Sequence, residues 1–196
     1  MTQVAVLDFG DPRIDELIAH IEAQNVRVQR KARDTKAADI QSDTQIRGVV
    51  LAGGPFTIYA DDIEVVDPAI FELNIPLLGI GRGMQVMLNE LGGTVTPAGY
   101  QYSPTDSALT LHNTERGIFK GLPKDIVKPL GFDAKVSALP QGFSILASGK
   151  EVKSGDNRPF GATECPEKKL YGIQFVVDTQ NCDISAQAVN NFLQLL

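Results

Sequence analysis

The hydrophobic pattern changes character about half-way along the chain. In the first half, short apolar runs typical of buried parallel strands alternate with segments whose apolar residues repeat with helical spacing. This alternation indicates a parallel sheet with helices on both faces. The predicted strands are residues 4–9, 26–28, 48–52 and 77–80, and the predicted helices are residues 12–21, 37–40, 68–73 and 83–91.

From Thr94 onward, short alternating segments separated by turn residues predict mostly antiparallel strands. These segments are residues 108–111, 126–130, 143–147, 159–163 and 170–175. A last helix is expected over residues 184–196, where Val189, Phe192, Leu193 and Leu196 share one face. We therefore expect one mixed α/β domain over residues 1–196, with a mostly parallel twisted sheet, flanking helices and an additional antiparallel portion.

The sharpest motif lies between a predicted strand and a predicted helix. Gly79, Gly81 and Gly83 have the spacing of a Gly-x-nucleophile-x-Gly turn, in which a reactive side chain stands on a tight strand-to-helix elbow. The two outer glycines let the helix approach the strand closely. The position of the nucleophile is occupied by Gly81, which has no side chain and therefore no nucleophile.

Composition and charge narrow the classes of function. The chain has 196 residues, of which 43% are hydrophobic and 21% charged, as is usual for a globular protein. The net charge of -6 argues against nucleic acid or an anionic membrane as the main partner. No apolar run approaches the roughly 20 residues of a membrane span. Cys165 and Cys182 form neither a disulfide framework nor a metal-binding spacing, so we expect a cytoplasmic protein without metal or cofactor.

Three stretches carry a resemblance to a known family. Residues 51–55 read Leu-Ala-Gly-Gly-Pro, residues 79–85 Gly-Ile-Gly-Arg-Gly-Met-Gln, and residues 171–178 Tyr-Gly-Ile-Gln-Phe-Val-Val-Asp. Together with residues 117–123, they resemble the class I glutamine amidotransferase family, and most of all the glutaminase domain or subunit of GMP synthase. The resemblance implies a flavodoxin-like α/β fold in which Gly53 and Gly54 belong to the oxyanion loop.

The departures from the family fall on its chemistry. In the resemblance, Gly81 replaces the catalytic cysteine, Val176 the histidine and Asp178 the glutamate of the triad. Val177 replaces the proline after the histidine, and residues 131–134 replace a Ser-His-x-Asp segment near the glutamine site. Amide hydrolysis of this type needs a thiolate and a base that takes its proton, so we predict no glutaminase activity.

What remains of the family's site is a set of candidate ligand-binding residues, namely Gly53, Gly54, Arg82, Gly83, Met84 and Gln85. The start of the helix, with its partial positive charge and the guanidinium of Arg82, has the features of a small anion site. The alternative is that Arg82 turns outward and pairs with an acid on a neighbouring loop or chain.

Three functions remain open. The first is a catalytically degenerate amidotransferase-like protein that binds a partner, such as a synthetase, or a small ligand. The second is an enzyme with a relocated mechanism that uses groups such as Ser103, Thr105 or Ser107. The third is a role as a component of a GMP synthase complex that uses free ammonia. Cys165 and Cys182 have no neighbouring histidine in the sequence, and His20 and His112 are interpreted as structural or surface residues.

Overall fold

A computed structural model describes residues 2–53, 66–97, 106–129, 134–149, 160–175, 177–179 and 183–196. The strands are β1 (Gln3–Asp8), β2 (Arg27–Ala32), β3 (Ile46–Ala52), β4 (Leu77–Ile80), β5 (Thr94–Pro97), β6 (Asp106–Leu111), β7 (Asp125–Pro129), β8 (Ala134–Ala138), β9 (Ser144–Gly149), β10 (Phe160–Cys165) and β11 (Leu170–Ile173). The helices are α1 (Ile14–Ala23), α2 (Ala37–Ser42), α3 (Arg82–Glu90) and α4 (Ile184–Leu193), with 3₁₀ turns at Pro68–Glu72, Gly117–Phe119 and Pro166–Lys168.

The main sheet has the strand order β2-β1-β3-β4-β11-β10-β9-β6-β7. Strands β2, β1, β3, β4 and β11 are parallel to one another, and the remaining strands are antiparallel. A mostly parallel sheet with an antiparallel portion and flanking helices confirms the predicted fold class. A separate antiparallel ribbon joins β5 and β8.

The parallel strands are buried because they are covered on both faces. Along β1, Val4 and Val6 face a core shared with α1 and α4, while Ala5 and Leu7 face the core on the opposite side, shared with α2 and α3. Helix α3 packs between the sheet and the β5–β8 ribbon, and its residues 82–88 are all buried. The short continuous apolar runs of the sequence therefore correspond to strands with two buried faces.

Some details differ from the sequence-based expectations. Strand β11 falls in the part predicted to be mostly antiparallel, yet it pairs parallel with β4, from Leu170 opposite Leu77 to Ile173 opposite Ile80. The direction of a strand is decided by its partner, which alternation of side chains does not reveal. Strands β5 and β8 were not predicted, since each is a short segment whose pattern differs little from that of a loop.

The starts of two helices also test the capping signals. Asp67 caps the 3₁₀ turn Pro68–Glu72 by accepting a 3.1 Å hydrogen bond from the amide of Ala69, as predicted, although the turn is 3₁₀ rather than α. Helix α1 begins at Ile14, not at Pro12 as expected. The carboxylate of Asp11 accepts a 2.9 Å bond from the amide of Arg13, and this local turn delays the helix.

No helix in the described part of the chain is long and apolar enough to cross a membrane.

We expect Gly83→Ala to lower the free energy of unfolding by at least about 2 kcal/mol, because a Cβ there would overlap the Leu51 carbonyl oxygen and lie 2.7 Å from the Leu51 Cβ. Backbone cannot move aside as a flexible side chain can. Urea denaturation followed by circular dichroism measures the loss.

Gly161→Ala is the matched control, since its new Cβ would meet only side-chain atoms of Leu109 and Ala147, the nearest at 3.1 Å. Its loss should be clearly smaller, about 1 kcal/mol. Equal stability of Gly83→Ala and the unsubstituted protein would contradict the close packing of α3 on β3.

Candidate functional site

The elbow predicted from the glycine spacing is present between β4 and α3. Gly81 lies between the last residue of β4 and the first of α3, with φ 55° and ψ -114°. Its amide donates a 2.7 Å hydrogen bond to the carbonyl of Ile173 at the end of β11. Its own carbonyl accepts bonds from the amides of Met84 and Gln85 at 3.1 and 3.2 Å. Gly81 therefore has a backbone conformation that residues with a side chain rarely adopt, as in a nucleophile elbow, although it has no side chain itself.

The three glycines of the elbow meet different surroundings. A Cβ on Gly79 would lie 2.7 Å from the amide nitrogen of Met84, and a Cβ on Gly83 would overlap the backbone of Leu51. A Cβ on Gly81 would meet no atom within 4 Å, at least among the described residues. Gly79 and Gly83 thus serve close packing, as predicted, whereas the direction that a nucleophile would take from Gly81 is open.

The loop after β3 approaches the elbow directly. A Cβ on Gly53 would overlap the carbonyl oxygen of Ile80 and lie 3.0 Å from the amide nitrogen of Arg82. In an elbow of this kind the amide of the residue after the nucleophile is one oxyanion donor, and here that residue is Arg82. Gly54, the other predicted member of the oxyanion loop, lies outside the described residues.

The side chains at the start of α3 are buried. Arg82 is 5% exposed and Gln85 3% exposed, so Arg82 does not turn out into solvent. Met84 is fully buried against β11, where a Cβ on Gly172 would lie 2.9 Å from its Sδ. The amides of Met84 and Gln85 donate to Gly81 rather than pointing into the site. Arg82, the first residue of α3, is thus a buried cation from the helix end at which the dipole is positive.

The third family segment leaves β11 beside the elbow. Phe175 is fully buried and its ring stacks on that of Phe119, with centroids 6.2 Å apart. Val176, at the histidine position, lies outside the described residues. Asp178, at the glutamate position, is half-buried, and its amide donates a 2.8 Å hydrogen bond to Oγ of Ser185. Sequence reasoning did not single out Ser185.

Ser185 belongs to the start of α4. The carboxylate of Asp183 caps that helix by accepting from the amide of Ser185 at 2.7 Å, and it also accepts the Ser185 hydroxyl. An Asp directly before an apolar helical stripe is an N-cap signal that could have found it. Ser185, held by Asp183, thus fixes the backbone at Asp178. This contact is structural and supplies no catalytic base.

Of the remaining candidates for a substitute mechanism, Cys165 lies away from the elbow. Cys165 is buried and pairs with Leu170, at the opposite end of β11 from Ile173. Strand geometry places it about 10 Å along the sheet from the level of the elbow. Cys182, Ser103 and Thr105 lie outside the described residues, as do residues 131–133. Ser107 lies in β6.

Both histidines bond to side chains elsewhere. Nε2 of His20 lies 2.8 Å from Oδ1 of Asn190, where α1 meets α4, and Nε2 of His112 lies 2.8 Å from Oγ of Ser148. His112 follows β6, which is three strands from β11 in the sheet. Neither contact places an imidazole at the elbow.

One buried carboxyl in the antiparallel half has a perturbed pKa. Burial raises the pKa of Glu164, partly offset by the charge of Arg116 and by a hydrogen bond with Asn113. Glu164 pairs across the strands with Tyr171, whose pKa is raised by burial and by the Glu164 charge. These groups tie β10 to the segment that follows β6.

No group of three or more His, Cys, Asp or Glu residues in the described ranges is arranged to hold a metal ion.

Comparison with known proteins decides the family. Residues 5–175 match the sequence pattern of the family described as glutamine amidotransferase class-I. The chain belongs to the class-I glutamine amidotransferases. Curated relatives include "GMP synthase [glutamine-hydrolyzing]" of Streptococcus pyogenes serotype M5 (strain Manfredo) and serotype M1, each 34% identical over 192 residues. The alignment covers 97% of this chain but 35% of each relative, so the amidotransferase spans about a third of their length.

Solved structures share the fold of this amidotransferase. A protein from Thermoplasma acidophilum, described as a candidate subunit of GMP synthase, superposes with a TM-score of 0.82 at 20% identity, over 100% of this chain and 94% of the other. A glutamine amidotransferase from Thermotoga maritima gives a TM-score of 0.68 at 13% identity, over 98% and 96% of the two chains. The family and the GMP synthase-like character predicted from the three motifs are thereby confirmed.

Gly81→Cys should lower the free energy of unfolding by about 1 kcal/mol, because a side chain at φ 55° is strained even where space is open. Gly81→Ala should lose the same amount, since the cost is in the backbone and not in the thiol. Thermal and urea unfolding measure both.

Gly121→Ala is the control, because Gly121 has φ 76° and equally open surroundings but does not belong to the elbow. It should show a loss of similar size. A melting temperature of Gly81→Cys equal to or above that of the unsubstituted amidotransferase would rule out a strained elbow.

Proposed function

We propose that this amidotransferase domain is catalytically degenerate and acts as a binding or regulatory member of the GMP synthase-like group. The observation that carries the proposal is the elbow itself, whose strained turn and open direction at Gly81 are retained without a nucleophile. Removing the nucleophile of such a site typically costs several powers of ten in rate.

A single exchange of cysteine for glycine would leave the rest of the machinery in place, but here the base is missing as well. The sequence has Val176 at the histidine position, and His20 and His112 bond to Asn190 and Ser148. Asp178 has no imidazole next to it in the sequence to orient. The proposal therefore does not depend on Gly81 alone.

The binding role that we propose uses the retained cradle. Gly53 and Gly54 of the loop after β3, together with Arg82, Gly83, Met84 and Gln85 at the start of α3, would surround a small anion such as a carboxylate. Support comes from the burial of Arg82 and from the approach of Gly53 to its amide. Gly83 would contribute backbone, and Met84 and Gln85 would hold the turn through their bonds to Gly81.

A protein partner is the second part of the proposal. Because the chain spans about a third of curated GMP synthases, a synthetase portion is the natural partner to test. Such a complex would lie in the cytoplasm, and neither nucleic acid nor a membrane surface is expected to compete for a chain of net charge -6.

Glutamate release from glutamine should not exceed the buffer background with the purified protein. Gly81→Cys should remain inactive because it supplies a thiol without a base. Coupled detection with glutamate dehydrogenase measures this at saturating glutamine. Turnover by the unsubstituted protein would contradict degeneracy, and its survival in Cys165→Ser/Cys182→Ser would indicate a relocated mechanism.

The double variant Gly81→Cys/Val176→His is the constructive control for that assay. If the cradle keeps its geometry, restoring thiol and imidazole together should release glutamate above both single variants. Failure of a correctly folded double variant would show that the cradle no longer fits glutamine.

Glutamate or glutamine should raise the melting temperature in a saturable manner, since a ligand that binds only the folded state stabilises it. Phosphate and nucleoside monophosphates provide the comparison with other anions. Gly81→Asp should abolish the shift, because its carboxylate would occupy the open direction and repel an anion, whereas Gly81→Ala should retain a shift.

These two variants place a side chain at the same positive φ, so their difference reports on the added carboxylate, through its volume and its charge. Arg82→Ala should also lose the shift if it folds. If no anion shifts the unsubstituted protein more than Gly81→Asp, the anion site is wrong, and the cradle is better assigned to a partner surface.

The alternative function is support of a synthetase that consumes free ammonia. This alternative is supported by the alignment with curated GMP synthases, which covers 35% of their length and leaves the rest of each relative unmatched. An assay of the synthetase portion with ammonium chloride, with and without this chain, tests it. Stimulation without glutamine hydrolysis would support this function, and no change would reject it.

A further inference from the structure

A basic cleft lies at the carboxyl ends of β1 and β2. It is an open depression with a volume of about 710 Å³, lined by Asp8, Arg30, Lys31, Ala32, Arg33, Asp34 and Lys36. These residues come from the last position of β1 and from the segment that leaves β2 toward α2. The volume lies within the range of roughly 300–1,000 Å³ typical of small-molecule sites.

The charge of the cleft is opposite to that of the chain. Four of its lining residues are basic and two are acidic, whereas the chain as a whole has 18 Lys and Arg residues against 24 Asp and Glu. The cleft is therefore a local positive region on an acidic protein, and it concentrates small anions in preference to cations.

One side of the cleft is held rigidly. Arg30 donates to the Asp8 carboxylate from Nε at 3.0 Å and from Nη2 at 2.6 Å, and to Asp15 from Nη1 at 3.0 Å. Burial opposes ionisation of Asp8, but the bonds from Arg30 and from the Gly10 amide outweigh it and lower its pKa. Asp8 thus stays ionised and fixes Arg30, and Lys31 and Lys36 are further cations in the lining of the cleft.

The cleft occupies a favourable place in the sheet. The connection after β1 leads to β2 on one side, and the connection after β3 leads to β4 on the other side, so the connections reverse between β1 and β3. In open parallel sheets, ligands commonly bind outside the carboxyl ends of the strands at such a reversal, and the cleft borders it through Asp8 at the end of β1. The elbow at Gly81 lies on the same edge but after β4, on the other side of β3, so the two sites involve different residues.

We propose that this cleft binds a small ligand that carries two or more linked phosphate groups. Lysine and arginine bind phosphate by charge-assisted hydrogen bonds. Four basic residues within residues 30–36 suit a ligand that carries more than one negative charge. The cations are confined to one short segment and do not form an extended stripe. Nucleic acid is disfavoured because the rest of the chain is even more acidic than its net charge of -6 indicates.

Isothermal titration of the full chain at fixed ionic strength tests the proposal with pyrophosphate, ATP, adenosine and citrate. Pyrophosphate and ATP should bind, whereas adenosine, which has no phosphate, should not. Lys31→Gln/Lys36→Gln should weaken pyrophosphate binding at least about tenfold, because it removes two charge-assisted contacts to the ligand. Arg33→Gln should weaken it in the same direction.

Lys120→Gln/Lys124→Gln is the matched control, because it removes the same charge from exposed positions between the 3₁₀ turn Gly117–Phe119 and β7. It should leave binding unchanged. Equal weakening by both double variants would overturn the cleft as the site, and citrate binding as tightly as pyrophosphate would overturn phosphate as the ligand. Binding of a poly-glutamate peptide in place of pyrophosphate would reassign the cleft to an acidic protein partner.

Discussion

The close approach of α3 to the sheet is the constraint on which the rest of the structure depends. Gly83 rests on the backbone of Leu51 in β3, and Gly79 lies against the start of α3. On the neighbouring strand, Gly172 leaves the space that Met84 fills. Three glycines on two strands and one helix thus bring together β3, β4 and β11, and with them the described parts of the three motifs that carry the family resemblance. Any side chain at these positions would push the layers apart.

This constraint separates the scaffold from the chemistry. A Cβ at Gly81 would meet nothing within 4 Å in the described structure, so this position contributes little to packing. Glycine also adopts φ 55° without the strain that a residue with a side chain bears. Glycine at position 81 is therefore compatible with the intact fold, whereas Gly79 and Gly83 cannot change without moving backbone.

The carboxyl edge of the parallel strands carries two positive regions of different origin. At the elbow, a helix N-terminus and the buried guanidinium of Arg82 act together. At the ends of β1 and β2, the charge comes from side chains on one short segment, with Arg30 fixed by Asp8. Both regions follow from parallel pairing, because it brings the ends of β2, β1, β3, β4 and β11 to one edge.

The first four parallel strands and the elbow could be predicted from the sequence, because apolar runs and glycine spacings are local signals. The family was indicated by the resemblance of three motifs, and the sequence also shows glycine at position 81 and valine at position 176. The parallel direction of β11, the β5–β8 ribbon, the burial of Arg82 and the cleft, whose residues resemble a polar connection in the sequence, became visible in the folded chain alone. Each of these depends on partners distant in the chain, and a local pattern does not record which partner a strand or a charge will meet.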